Sequence, residues 1–102
     1  MSVDILVVDD EADIRELVTG LLEDEGFSPR AAANSEGAFK AVKERLPALV
    51  ILDVWLQGSE LDGLQLLEVI RREDPPVPVV MISGHGTIDT AVLAIKTGAY
   101  DF

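Results

Sequence analysis

Short, uninterrupted apolar runs alternate along this chain with segments in which apolar residues recur every three or four positions. The strongest runs are residues 5–8, 49–52 and 77–82, and most of their members are β-branched or leucine. Runs of this kind predict strands that are buried on both faces of a parallel sheet. Weaker patterns predict a further strand at residues 27–33 and the beginning of another at residues 99–102.

Four segments between these runs have the spacing of amphipathic helices. The first helix is expected to end at Gly26, the second to be capped by Ser35, and the others to cover residues 64–70 and 88–95. We expect the apolar stripes of these helices to belong to the core, including in the first helix Ile14, Leu17, Val18, Leu21 and Leu22. The alternation of strands and helices predicts an α/β fold in which helices cover both faces of a parallel sheet.

Three of the apolar runs end at side chains that can do chemistry. Asp9 and Asp10 follow the first run, Asp53 ends the second, and Ser83 ends the third. Ligands of parallel sheets bind outside the carboxyl ends of the strands, so we expect these groups to share one crevice. Clustered carboxylates repel each other unless a cation lies among them, which favours a hard divalent cation with oxygen ligands.

Each of these residues also has a plain structural interpretation. Asp9 or Asp10 alone can cap the first helix, and Ser83 alone can simply form a turn. Trp55 can be a core residue or a partly exposed one. His85 is the only histidine, and a solvated loop residue is a simpler interpretation than a phosphodonor or a metal ligand.

Composition narrows the possible classes of protein. With 102 residues, of which 48% are hydrophobic, the chain is expected to form one folded domain. It has no cysteine, which excludes thiolate chemistry within it and fits a cytoplasmic location. The net charge of -11 argues against direct binding to nucleic acid or to an anionic membrane. No apolar run approaches the roughly 20 residues of a membrane span.

Several short motifs resemble those of the receiver domains of bacterial two-component response regulators. They are V-V-D-D-E at residues 7–11, V-I-L-D-V at 50–54, L-D-G at 61–63 and I-S-G-H-G at 82–86. The resemblance covers the whole chain and is strongest to receivers of the NtrC type, in particular the NtrX branch. It implies a doubly wound sheet with the flavodoxin-like order 2-1-3-4-5. The fifth strand and last helix are then incomplete, and residues 1–102 form a receiver domain truncated before its end.

The same resemblance implies a magnesium-dependent phosphoacceptor site. Asp53 matches the phosphoacceptor, and Asp10 matches a direct Mg²⁺ ligand. Asp9 matches an acidic partner that acts largely through water, and the backbone carbonyl of Trp55 matches the third protein ligand. Carboxylate nucleophiles and Mg²⁺ suit phosphoryl transfer, in which positioning and charge neutralisation do most of the work.

Further implied roles concern the response to phosphorylation. Ser83 matches the hydroxyl that binds the phosphoryl group, and together with the aromatic Phe102 it forms the expected switch. In the long loop after Asp53, we expect Trp55 to shield the phosphoryl group from water. We expect Gly58 and Ser59 to give this loop mobility for docking of the kinase.

The implied partners are a sensor histidine kinase, output domains beyond Phe102 and a second copy bound through the fourth helix and fifth strand. The domain itself is expected not to be an enzyme. One alternative is a phosphatase of the haloacid dehalogenase type, but its second aspartate would fall at Trp55. Another is a receiver that is never phosphorylated and serves only for dimerisation, against which the intact acidic residues argue.

Overall fold

The structure is a computed structural model that describes residues 3–72 and 77–82. Its strands form one parallel sheet with the order β2-β1-β3-β4. The strands are β1 (Asp4–Val8), β2 (Ser28–Ala32), β3 (Leu49–Asp53) and β4 (Val79–Ile82). The helices between them are α1 (Ala12–Asp24), α2 (Ser35–Glu44) and α3 (Gly63–Ile70). The predicted α/β fold and the order 2-1-3-4 are confirmed. The fourth helix and the fifth strand lie outside the described residues.

The register of the strands brings their carboxyl ends to one edge of the sheet. Val8 at the end of β1 pairs with Ala32 of β2 and with Leu52 of β3. Asp53 at the end of β3 pairs with Ile82 of β4. The residues directly after β1 and the last residue of β3 therefore lie at the same edge, as expected for neighbouring parallel strands.

The core lies mainly between the sheet and the helices α2 and α3. Leu6 of β1, Leu52 of β3 and Leu66 of α3 are fully buried. Strands β1 and β3 have neighbours on both sides, which explains why their sequences are almost continuously apolar. Among the described helices, none is long and apolar enough to cross a membrane.

Helix α1 differs from expectation, because its apolar stripe is only partly covered. Leu17 and Leu21 are 59% and 58% exposed, so the prediction that they belong to the core is wrong. Ile14, Val18 and Leu22 are half-buried. Within the described residues, the side of the stripe that carries Leu17 and Leu21 is therefore exposed.

The cap of α2 was predicted one residue too late. Asn34 is the N-cap, and its side-chain oxygen accepts a hydrogen bond of 2.9 Å from the backbone N–H of Gly37. Ser35 is the first residue of the helix, and its hydroxyl has other partners. The end of α1 agrees with prediction, since Gly26 has a φ of 89°, a left-handed conformation that favours glycine.

An ion-pair group fastens the amino end of β1 to its neighbours. Asp4 accepts hydrogen bonds of 2.8 Å from Nε of Arg30 in β2 and from Nε of Arg45 at the end of α2. Arg30 also donates through Nη1 to the carbonyl of Ala41 at 2.7 Å. This group joins three elements at the edge of the sheet opposite the carboxyl ends of the strands.

Candidate functional site

Three carboxylates meet where the register of the sheet brings the ends of β1 and β3 together. Asp9, Asp10 and Asp53 each offer an oxygen, and these atoms all lie within 4.8 Å of one another. Asp9 is only 3% exposed, whereas Asp10 and Asp53 are partly exposed. The structure therefore brings together the three acidic residues that the sequence singled out.

The hydrogen bonds of Asp9 distinguish it from a helix cap. Its Oδ1 accepts from the backbone N–H of Glu11 at 2.9 Å, and its carbonyl accepts from Nη1 of Arg15 at 2.7 Å. The N-cap of α1 is Glu11, which makes no side-chain cap hydrogen bond. Neither Asp9 nor Asp10 is thus the N-cap of α1. Instead, α1 holds Asp9 in place from its first turn.

The pKa values of two of these aspartates are raised, because the carboxylates are partly buried and lie close to one another. Burial raises the pKa of Asp53 from 3.8 to about 6; the N–H of Trp55 opposes this rise, and the charges of Asp9 and Asp10 add to it. Burial also raises the pKa of Asp9, with a contribution from the charge of Asp10. Three carboxylates that are costly to ionise together offer the oxygen ligands that a hard divalent cation prefers. Such a cation would relieve the repulsion between them.

Trp55 is part of the site through its backbone. Its N–H donates to Oδ1 of Asp53 at 3.2 Å and so restrains the carboxylate. Its indole is 43% exposed, whereas the flanking Val54 and Leu56 are buried at 1% and 7% exposure. The partly exposed placement is therefore correct, and Val54 and Leu56 anchor this part of the loop in the core.

Gly63, the first residue of α3, fits a space that admits no side chain. A Cβ there would collide with the carbonyl oxygen of Asp53 and would come within 2.6 Å of the carbonyl oxygen of Val54. The N–H of Gly63 donates to this Val54 oxygen at 3.0 Å. Asp62 caps α3 in a reciprocal capping box with Gln65. The start of α3 thus rests directly on the backbone of the acidic site.

Sequence reasoning missed a group of contacts between the loop after β3 and the start of α2. The hydroxyl of Ser59 accepts a hydrogen bond of 2.7 Å from the backbone N–H of Ser35. The expectation that Gly58 and Ser59 give the loop mobility stays a prediction, and in the structure the Ser59 hydroxyl contacts the start of α2. Gly58 does form a turn, with a φ of 68°. The partners lie 24 positions apart in the chain, so no local pattern signals their contact.

The remaining predicted site residues, Ser83 and Phe102, lie outside the described residues, as does His85. Their expected roles in binding the phosphoryl group and in switching stay predictions. The observed site consists of the acidic residues at the ends of β1 and β3, together with the backbone of the following loop.

A parallel sheet of this order, with clustered carboxylates after β1 and at the end of β3, is the arrangement of a receiver domain. Residues 5–102 match the response regulator receiver domain family, and the chain belongs to that family. Similarity to individual members narrows the class further. Over its full length the chain is 64% identical to the nitrogen assimilation regulatory protein NtrX of Azorhizobium caulinodans, of which it covers 22%.

Solved structures give the same result. The crystal structure of the receiver domain of NtrX from Brucella abortus is 62% identical, with a TM-score of 0.92, over 97% of this chain and 82% of that chain. A response regulator from Burkholderia pseudomallei, solved with a phosphorylated aspartic acid, calcium ion and citrate, is 27% identical, with a TM-score of 0.88. That match covers 98% of this chain and 58% of the other. The resemblance to NtrX is thus confirmed, and the chain spans about a fifth of the length of the NtrX protein from Azorhizobium.

Proposed function

We propose that this chain is the phosphoacceptor receiver domain of an NtrX-like response regulator and that Asp53 accepts the phosphoryl group. The observation that carries the proposal is the meeting of oxygens from Asp9, Asp10 and Asp53 within 4.8 Å of one another at the carboxyl edge of the sheet. A partly exposed carboxylate in such a cluster can act as a nucleophile towards phosphorus. The donor is a phosphorylated histidine of a sensor kinase.

In the proposed transfer, an oxygen of Asp53 forms a bond to phosphorus while the bond from phosphorus to the kinase histidine nitrogen breaks. The histidine leaves with the electron pair of that bond and takes up a proton. The N–H of Trp55, which donates to Oδ1 of Asp53, leaves the other carboxylate oxygen for the attack. Because such transfer depends mostly on positioning and charge, this orientation matters as much as the nucleophile itself.

Receiver domains bind Mg²⁺ at their acidic pocket, and the acidic residues here fit such an ion. Asp10 and Asp53 would hold it directly, Asp9 largely through water, and the carbonyl of Trp55 would be the third protein ligand. When bound, Mg²⁺ neutralises the carboxylates and the phosphoryl oxygens. The phosphorylated aspartate and calcium ion in the Burkholderia relative support this pairing of an acyl phosphate with a hard cation.

The consequences of phosphorylation belong to the same proposal. The phosphoryl group adds up to about two negative charges, to which the hydroxyl of Ser83 would bind while Phe102 moves with it. This change would control a covalently linked output domain and a homodimer formed through the fourth helix and fifth strand. The domain would act in the cytoplasm as a signalling module. Trp55, exposed beside Asp53, would slow hydrolysis by excluding water.

The test is phosphorylation of the full-length protein by its kinase or by a small acyl phosphate in the presence of Mg²⁺. We expect Asp53→Asn to abolish the label, because an amide cannot act as the nucleophile. We expect Asp10→Asn to weaken Mg²⁺ binding by at least about tenfold, since it removes a direct ligand. The matched control is Asp13→Asn, which removes an exposed carboxylate in the first turn of α1 and should leave both properties unchanged.

Mass spectrometry of the labelled protein decides the assignment. A label that persists in Asp53→Asn and maps to Ser83 or His85 would contradict the proposal. Binding of Mg²⁺ without any phosphorylation would instead support the alternative of a receiver that serves only for dimerisation.

A further inference from the structure

The loop between β3 and α3, residues 54–62, is closed at its base. The N–H of Gly63 donates to the carbonyl of Val54 at 3.0 Å, so the two ends of the loop lie side by side. Val54 and Leu56 bury their side chains in the core. A loop whose ends meet and whose own side chains pack beneath it is compact rather than extended. Its position relative to α2 therefore depends on contacts farther along, near its tip.

These contacts are made by Ser35, Glu36 and Ser59, which together form what we call the loop latch. The N–H of Ser35 donates to the hydroxyl of Ser59 at 2.7 Å, and the N–H of Leu61 donates to the hydroxyl of Ser35 at 3.2 Å. The hydroxyl of Ser35 donates to Oε1 of Glu36 at 3.0 Å, and the N–H of Glu60 donates to the same oxygen at 3.2 Å. Three successive loop residues are thus fixed to the first turn of α2.

The latch supplies a hydrogen-bond acceptor to a backbone N–H group at the start of α2 that has no partner within the helix. The first N–H groups of a helix have no partner within the helix, and the hydroxyl of Ser59 supplies one to Ser35. Ser35 is 1% exposed, so an unmatched polar group there would be costly. A carboxylate at Glu36 is favoured by the positive end of the helix dipole. Hydrogen bonds, first from its own backbone N–H and then from Ser35, lower the pKa of Glu36. It therefore stays charged at neutral pH.

Trp55 lies between the closed base and the latch. Its backbone N–H holds Oδ1 of Asp53, so any movement of the loop that shifts residue 55 also shifts the hydrogen bond to the carboxylate. The base fixes the backbone at Val54, and the buried side chain of Leu56 is the next anchor on the far side of Trp55. The latch holds the loop beyond Leu56 against α2 and so supports the backbone segment whose N–H donates to Asp53.

We propose that Ser35 and Ser59 are positioning residues of the acidic site, which act from the start of α2 by holding the loop that carries Trp55. They touch neither the metal nor the phosphoryl group. They fix the backbone beside Asp53 in the conformation that receives Mg²⁺. This inference rests on the proposed function, because it assumes that Mg²⁺ binds among these carboxylates. The latch is tested with substitutions of Ser59 and Glu36, and the proposed function with Asp53→Asn, so the failure of one can be told from the failure of the other.

The experiment is a Mg²⁺ titration of the full-length protein followed by the fluorescence of Trp55, the only tryptophan of this chain. Trp55→Phe identifies the part of the signal that belongs to this residue. We expect Ser59→Ala to weaken Mg²⁺ binding by about threefold to tenfold, the equivalent of one lost hydrogen bond. Ser59→Thr keeps the hydroxyl and should restore binding. Glu36→Ala, at an exposed side chain, is a second variant and should weaken binding in the same direction.

The matched control is Ser28→Ala, the same chemical change in β2, at a hydroxyl that has no hydrogen bond among the described residues. It should leave Mg²⁺ binding unchanged. Hydrogen exchange of the Trp55 amide gives an independent measurement, and we expect exchange to be faster in Ser59→Ala than in Ser28→Ala. Unchanged Mg²⁺ affinity and unchanged hydrogen exchange in Ser59→Ala would contradict the positioning role of the latch, even if Asp53 still accepts the phosphoryl group. A phosphoryl label that persists in Asp53→Asn would overturn the proposed function instead.

Discussion

At the scale of single residues, the most consequential property of the site is the cost of ionising Asp53. Its pKa is raised to about 6, first by burial and then by the charges of Asp9 and Asp10. The folded protein therefore holds a proton at Asp53 in a range of pH in which the unfolded chain has already lost it. A cation among the carboxylates reverses this preference, so protons and Mg²⁺ compete for the same oxygens.

This competition predicts how the site responds to pH. Without Mg²⁺, the contribution of Asp53 to stability is largest below pH 3.8 and is lost as the pH rises through about 6, because the folded pKa is the higher one. Mg²⁺ affinity should accordingly increase with pH up to this pKa and then level off. Titrations from about pH 5 to about pH 8 measure this dependence. Asp53→Asn should flatten the profile, whereas an unchanged profile in that variant would contradict the assignment.

At the scale of elements, the site depends on how closely α3 approaches the end of β3. The capping box of Asp62 and Gln65 defines where the helix begins, and Gly63 lets that beginning touch the backbone of Asp53 and Val54. A glycine at the start of a helix is a poor helix former, and here close approach explains its presence. The start of α3 and the end of β3 thus form one closely packed junction.

Gly63→Ala tests this junction. The added methyl group would collide with the carbonyl of Asp53, so α3 would have to move away from the site. We expect a loss of about 1–3 kcal/mol in the free energy of unfolding, as for other overpacked positions, together with weaker Mg²⁺ binding. Urea denaturation and Mg²⁺ titration measure the two effects.

The control is Gly20→Ala in α1, where an added Cβ would meet nothing within 4 Å. This change should raise stability by about 0.5–1 kcal/mol through helix propensity and leave Mg²⁺ binding unchanged. Equal effects of the two substitutions would show that the contact of Gly63 with Asp53 has no energetic importance.

At the scale of the whole molecule, two charged groups occupy opposite edges of the sheet. At the carboxyl edge, burial and the neighbouring carboxylates raise the pKa values of Asp9 and Asp53. At the other edge, Asp4 is paired with Arg30 and Arg45 and joins β1, β2 and the end of α2. One edge carries the oxygens that would hold the cation of the proposed function, and the other edge carries ion pairs that join elements of the fold.

Asp4 should therefore determine part of the acid sensitivity of the protein. Burial alone raises its pKa, but the hydrogen bonds from Arg30 and Arg45 outweigh burial and lower the pKa below 3.8. The stability that it contributes is thus complete above pH 3.8 and is lost as the pH falls through the lower folded value. We expect Asp4→Asn to cost about 1–3 kcal/mol at neutral pH, and this difference should shrink in acid.

Urea denaturation of both proteins at neutral and acidic pH measures this difference. Glu68→Gln is the control, because Glu68 pairs with Arg72 at 3.4 Å on an exposed helix face. An exposed pair of this kind is worth little, so the substitution should change stability by less than about 0.5 kcal/mol. A penalty for Asp4→Asn that stays constant as the pH falls would contradict the assigned role.

The sequence by itself determined the sheet and the place of the site. The apolar runs ending at Asp9 and Asp53 are local patterns, and the topology of parallel strands then brings their carboxyl ends together whatever the details of packing. The resemblance to receiver domains added the strand order, which the structure confirms as far as β4.

Only the tertiary structure decided the contacts that lie far apart in the chain. Local spacing predicted a buried stripe on α1, but whether Leu21 is covered depends on what packs against it. The bond from Ser35 to Ser59 and the contact of Gly63 with Asp53 depend on the path of the loop after β3. Hydrogen bonds and close approaches need atoms placed to within a few tenths of an ångström, whereas hydrophobic periodicity determines only which face of an element is turned inward.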